Sequence, residues 1–180
     1  FEMNAGGPRF RVPASNTLSI FTSGGLGSTS DERVRLDSSG RLLLGTTTEG
    51  STYADEFTVA TSANCGITIR SGTSNDGNIF FSDGTSGDDE LRGYVQYSHA
   101  NNFMRFATDA AERVRIDSSG RLMIGTTTEG FSGADNLTIE DSGHCGITIR
   151  SGATSDAQIS FSDATSGAGE YAGQIVYDHT

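Results

Sequence analysis

Residues 32–50 read ERVRLDSSGRLLLGTTTEG, and residues 112–130 read ERVRIDSSGRLMIGTTTEG. The copies lie 80 positions apart (112 − 32) and differ only at Leu36/Ile116, Leu43/Met123 and Leu44/Ile124, each an exchange between apolar residues. A stretch that returns this closely marks an array of units. Within it, Arg33, Val34, Arg35 and Leu36 alternate with period two, which predicts a strand with one charged and one apolar face. Asp37, Ser38, Ser39 and Gly40 are turn chemistry: Asp suits the first turn position and Gly the left-handed one. Residues 41–44 then form the return strand of a hairpin. Leu42, Leu43 and Leu44 place apolar side chains on both faces of that strand. A lone hairpin has no second layer for either face, so a neighbouring unit or another chain is expected to cover them.

Outward from this motif, the same short-strand grammar continues. Residues 65–72 (CGITIRSG) recur without change at 145–152. Ile67 and Ile69 fall on one face, Thr68 and Arg70 on the other. Thr58-Val59 (Thr138-Ile139) reads as a short strand. Residues 78–82 follow as a strand, with Ile79 and Phe81 matched by Ile159 and Phe161; Phe80, replaced by Ser160, is a weaker core candidate. Residues 94–99 form a strand with Val95, Tyr97 and His99 on one face, matched by Ile175, Tyr177 and His179. Near the start, residues 9–12 and 17–21 alternate, residues 23–30 are a Gly/Ser loop, and residues 16–22 loosely match 102–108. No helical pattern of ten residues occurs. The fold class expected is all-β, as tandem β-hairpin-rich modules of about 80 residues strung along one axis in an elongated assembly. The boundaries are 1–30 (end of an upstream module plus loop), 31–110 (repeat 1) and 111–180 (repeat 2, truncated). No leader peptide is read, and the start at Phe1 reads as a cut within a longer chain.

Composition narrows the function. Leu, Ile, Val and Phe number 9, 11, 6 and 10, a fifth of 180 residues. That is the lower edge for an autonomous globular domain. Because the apolar residues alternate regularly, a core shared between chains explains the shortage better than disorder does. Unpaired edges need covering, so a homo-oligomer is expected, with the residues alone leaving two or three chains open. There is no Lys and no Trp, and 12 Arg against 23 acids give a net charge of −11. Such a surface excludes a nucleic-acid binder, which needs a positive footprint. No run of apolar residues approaches the length of a membrane helix, so membrane insertion is not expected.

The chemistry-bearing residues point away from catalysis. Cys65 and Cys145 form no CxxC and no disulfide framework, and are read as small buried apolar residues. His99 and His179 are repeat equivalents, while His144 aligns with Asn64; they read as strand-end histidines rather than metal ligands, although a three-fold axis could gather three copies of one His. Residues 83–90 (DGTSGDDE) lack calcium-loop spacing and become DATSGAGE at 163–170, the pattern of a solvated loop. No GxSxG, HExxH or P-loop occurs, and a carboxylate pair for glycoside hydrolysis cannot be picked out among 23 acids. Tyr53, Tyr94 and Phe131 are read as exposed aromatics able to stack on sugars at positions that differ between the copies. The chain is therefore expected not to be an enzyme, with no catalytic, cofactor or metal residues, no cofactor, and an unassigned ligand site.

One resemblance sharpens this. The run ERVRIDSSGRLMIGT (112–126), with NNFMRFAT (101–108), GITIRSG (66–72) and NDGNIFFSD (75–83), resembles the tail-fibre repeats of bacteriophages, in particular marine and cyanobacterial ones. In those fibres, units like ERMRIDSSGNVGIGT recur, often ahead of an intramolecular chaperone domain. The resemblance covers most of residues 31–180. It implies shaft modules of an intertwined homotrimer in a virion, partnered by other tail or baseplate proteins and by a host surface glycan or protein receptor. The alternatives are a bacterial surface adhesin or extracellular filament subunit, and the non-catalytic part of a polysaccharide-degrading tailspike.

Overall fold

The computed structural model describes residues 2–4, 7–9, 16–21 and 32–178. The chain divides into two compact units, Phe1–Thr68 and Ile69–Thr180. Both are all-β, and the only helical pieces among the described residues are two 3-10 turns, Gly87–Leu91 and Gly167–Tyr171.

In the first unit, β1 (Glu2–Asn4) pairs with β2 (Gly7–Arg9). A four-stranded sheet follows, built from β3 (Leu18–Phe21), β4 (Glu32–Leu36), β5 (Leu42–Leu44) and β6 (Phe57–Val59) in chain order. The expected hairpin is β4–β5, paired Val34↔Leu44, Arg35↔Leu43 and Leu36↔Leu42. Its turn closes as the residues dictate. Asp37 Oδ1 accepts from the Ser39 and Arg41 amides at 2.8 and 3.0 Å, and Gly40 adopts φ +87°. The sequence reading of residues 9–12 and 23–30 lies mostly outside the described residues.

In the second unit, β7 (Asp76–Phe81), β8 (Gly93–Ser98), β9 (Phe103–Thr108), β10 (Ala111–Ile116), β11 (Leu122–Ile124) and β12 (Leu137–Ile139) form one six-stranded sheet. β13 (Ala157–Phe161) and β14 (Gly173–Tyr177) form a separate antiparallel pair. The sheet crosses the sequence repeat: β7–β9 come from residues 31–110, and β10–β12 from residues 111–180. Pairings recur at the 80-residue offset. Val114↔Ile124 repeats Val34↔Leu44, and Ile159↔Ile175 repeats Ile79↔Val95.

Two features depart from a string of hairpins. The last strand pairs in parallel: β5 with β6, and β11 with β12. A parallel neighbour requires a crossover of about a dozen residues, and residues 45–56 and 125–136 supply it. The crossovers leave their strands at Gly45 (φ +73°) and Gly125 (φ +76°). A Cβ at either would run into the backbone carbonyl of Ala60 or Glu140. We expect Gly125→Ala to destabilise the sheet by about 2 kcal/mol or more, from left-handed strain plus that contact. Urea denaturation read by circular dichroism measures it.

The second feature is a β-bulge between Glu112 and Val114, and its equivalent in β3–β4 where the register shifts between Ile20 and Phe21. In a regular strand, residues three apart face opposite sides. The extra residue at the bulge brings Glu112 and Arg115 to one side. The expected segregation of both arginines onto one charged face is thus corrected: Arg33 and Arg113 sit at the bulge and are exposed, whereas Arg35 and Arg115 lie over the sheet.

Residues 65–72 and 145–152 carry no strand, contrary to their alternating pattern. Alternation sets faces, but a strand also needs a partner, and no described strand pairs with them.

Candidate assembly face

Cross-strand partners share a face, so the registers sort every side chain of the six-stranded sheet. One face carries Asn78, Phe80, Tyr94, Gln96, Phe103, Arg105, Ala107, Glu112, Arg115, Met123 and Thr138. The other carries Ile79, Phe81, Val95, Tyr97, Met104, Phe106, Val114, Ile116, Leu122, Ile124, Leu137 and Ile139.

Most of the first face is finished within the chain; at its β7 edge Phe80 stays 49% exposed, its ring edge-on to Tyr94. A hydrogen-bonded ladder crosses four strands: Gln96 Nε2 donates to Asn78 Oδ1, Arg105 Nε to Gln96 Oε1, Arg105 Nη1 to Glu112 Oε2 at 3.4 Å, and Arg115 Nε to Glu112 Oε1 at 2.6 Å. The Arg115 guanidinium stacks 4.0 Å over the Phe103 ring, covering it while keeping its charge paired. The crossover then folds over the end of this face. Gly130 N–H donates to Thr138 Oγ1 at 3.0 Å, and Arg121 grips Asp117 at 2.6 Å and Asp135 at 2.9 Å. Met123 beneath is only 2% exposed. The four-stranded sheet repeats the device with Arg41, Asp37 and Asp55 around Leu43, which is 1% exposed. The expectation that something outside must cover both faces of residues 42–44 is therefore corrected for one face. The chain's own crossover covers Leu43 and Met123.

The carboxylates of this scaffold sit below their ordinary pKa. Hydrogen bonds from Arg41 and Arg121, backbone first and then side chain, lower Asp37 and Asp117. For Glu32 the Arg35 hydrogen bond is the main cause; for Glu112 burial opposes ionisation, but the Arg115 and Arg105 partners outweigh it. A depressed folded-state value contributes stability that is present above the unfolded value and is lost as pH falls through the folded one. With ordinary values of 3.8 and 4.5, the melting temperature should hold steady above pH about 5 and drop below about 4. Thermal unfolding across pH 2–8 checks this, and Glu112→Gln should flatten the acid limb.

The second face has no such cover. Phe81 is 61% exposed, Ile79 51% and Leu137 48%. Phe106, Ile116 and Ile124 are exposed as well, and Leu36, Leu42, Phe57 and Ile20 repeat the pattern on the four-stranded sheet. A cleft of about 280 Å3 opens on it between Ile69, Ile79, Val95, Tyr97 and Met104. An apolar surface spanning all six strands is what a protein–protein contact uses.

The residues singled out for chemistry do not converge. His99 is the turn residue directly after β8, its ring edge-on to Tyr97 at 4.9 Å, His144 is exposed, and His179 lies outside the described residues. Among the described residues, no three His, Cys, Asp or Glu side chains cluster as metal ligands. Cys65 and Cys145 are exposed, a correction to their reading as buried. They belong to the unpaired segments, where no second layer encloses them, and each thiol lies beside one carbonyl, of Val59 or Ile139, at 3.3 and 3.4 Å. Tyr94 is also corrected: it lies buried at 8% exposure in β8, beneath Arg105. Tyr53 and Phe131 are exposed, at 96% and 79%, both in the crossovers. In the acidic loop, Asp83 and Asp89 stay exposed and pair with Arg92 at 3.4 and 2.7 Å. No described helix is long and apolar enough to cross a membrane. No family model matches the chain, and no curated protein matches it significantly.

Proposed function

We propose that this chain is a structural shaft segment of a fibre, assembled from copies of itself by burying the exposed apolar face, and that three copies close around an axis. The observation that carries the reading is the asymmetry of the sheets. One face is finished by ion pairs and a crossover, and the other is apolar and bare, in the same register at an 80-residue offset. A partner buried there would remove from water about 25 cal/mol of unfavourable free energy per Å2 of apolar surface. A copy of the same chain presents a matching face at matching intervals. The resemblance to bacteriophage tail-fibre repeats supports three chains, a virion appendage that adsorbs to a host, and contacts with other tail or baseplate proteins. It also supports a non-enzymatic role.

The experiment is electrophoresis of unboiled samples in SDS beside light scattering. The expected result is a band resistant to SDS without boiling and a mass about three times 18.9 kDa. A folded, soluble monomer in light scattering refutes the proposal.

A further inference from the structure

Residues 65–70 and 145–150, both CGITIR, link β6 to β7 and β12 to β13. Their composition is unlike a linker's. Flexible links are Gly/Ser-rich, whereas this one places β-branched Ile, Thr, Ile in succession, the residues that fit a strand. Yet among the described residues none of their backbone N–H or C=O groups bonds to another backbone group; the nearest such bonds are the turns Asn75 N–H to Gly72 and Ser155 N–H to Gly152. Their apolar side chains are bare: Ile67 is 68% and Ile147 65% exposed. Arg70 and Arg150, which end the segments, have no carboxylate partner among the described residues, in a chain of net charge −11. In the second unit the segment borders the apolar face, where Cys145, Gly146 and Ile147 wall an open cleft of about 400 Å3 with Leu137 and Ile139.

We propose that residues 65–70 and 145–150 are intermolecular strands, whose backbone groups ladder with a neighbouring copy of this chain. The inference rests on the self-assembly proposed above and adds which segment makes the backbone contact. Two arguments fix the occupant as a second copy. The segments are identical and 80 residues apart, so a partner serving both must carry the same repeat, which another copy does. Their free basic ends also meet an acidic surface on such a copy. Strand addition to an exposed edge draws affinity from main-chain bonds and specificity from alternate side chains, and the Ile67/Ile69 alternation supplies the latter.

Hydrogen exchange of the 180-residue chain, read by mass spectrometry on dilute and assembled samples, tests this. The amides of residues 67–70 and 147–150 should exchange freely when dilute and slow by about 100-fold or more on assembly. Prolines at Thr68 and Thr148, or in a second variant at Ile69 and Ile149, remove N–H donors that point to opposite sides of a strand. At least one pair should weaken assembly tenfold or more while leaving the dilute-state melting curve unchanged; Ile69→Val with Ile149→Val should assemble normally. An assembly in which these amides stay unprotected, or which tolerates both proline pairs, overturns the inference and leaves self-assembly standing. A chain that stays monomeric at every concentration overturns both.

Discussion

Leu42→Asp combined with Leu122→Asp is expected to abolish self-assembly while leaving each sheet folded. Leu42 and Leu122 sit on the bare face, opposite Phe57 and Leu137. In the isolated chain a carboxylate at either site still reaches water, Leu42 being 37% exposed and Leu122 half-buried, so folding is affected far less than assembly. Between copies it would be buried without a partner, which costs several kcal/mol per site. Two sites in every copy multiply that penalty. Sedimentation velocity should show the shift from assembled to monomeric chain, with circular dichroism unchanged. Arg33→Ala, at the exposed bulge, should assemble nearly as well as the parent.

Met123→Asp, one residue further along the same strand, is expected to do the opposite. Met123 faces the finished side and is 2% exposed beneath the crossover. An aspartate there has lost water without gaining a cation, since Arg115 is held by Glu112 and Arg121 by Asp117 and Asp135. The sheet should lose about 4 kcal/mol or more, enough to unfold a domain of ordinary stability. Leu43→Ala, a gentler probe of the equivalent site, should cost about 2–5 kcal/mol. Chemical denaturation of dilute protein separates these from the leucine variants. Residues 122 and 123 thus form a pair of adjacent positions with opposite phenotypes, one blocking assembly and one blocking folding. Similar behaviour from both would contradict the division into a finished and a bare face, and reversed phenotypes would mean the faces have been assigned the wrong way round.

Local chemistry made much of the fold readable. Asp37 and Gly40 specify the turn because their conformational needs are their own, and β4–β5 and β7–β8 follow from alternation over four to six residues. What was illegible depends on residues meeting across the chain. The parallel return of β6 and β12 cannot be inferred from Thr58 or Thr138, since a strand carries no mark of its neighbour's direction. The bulge at Glu112 hides inside an otherwise regular ERVR alternation, so Arg115 looked like a solvated charge rather than a lid over Phe103. Tyr94 looked like an exposed aromatic because Gln174 replaces it, yet β8 buries it under Arg105. Cys65 and Cys145 looked buried because free cysteine is usually a small apolar residue; nothing local showed that CGITIR would be left without a partner strand. The bare apolar face was legible in part. Leu42 and Leu44 announced surplus apolar surface, but only the register shows that Leu43 leaves it, and that the equivalent face in the second unit extends across all six strands.

Sedimentation equilibrium of the unmodified chain across a wide concentration range tests the central claim most directly. A reversible or stable species at about three times 18.9 kDa is predicted. A single folded monomer up to the solubility limit, with the apolar face still open to solvent, would contradict it.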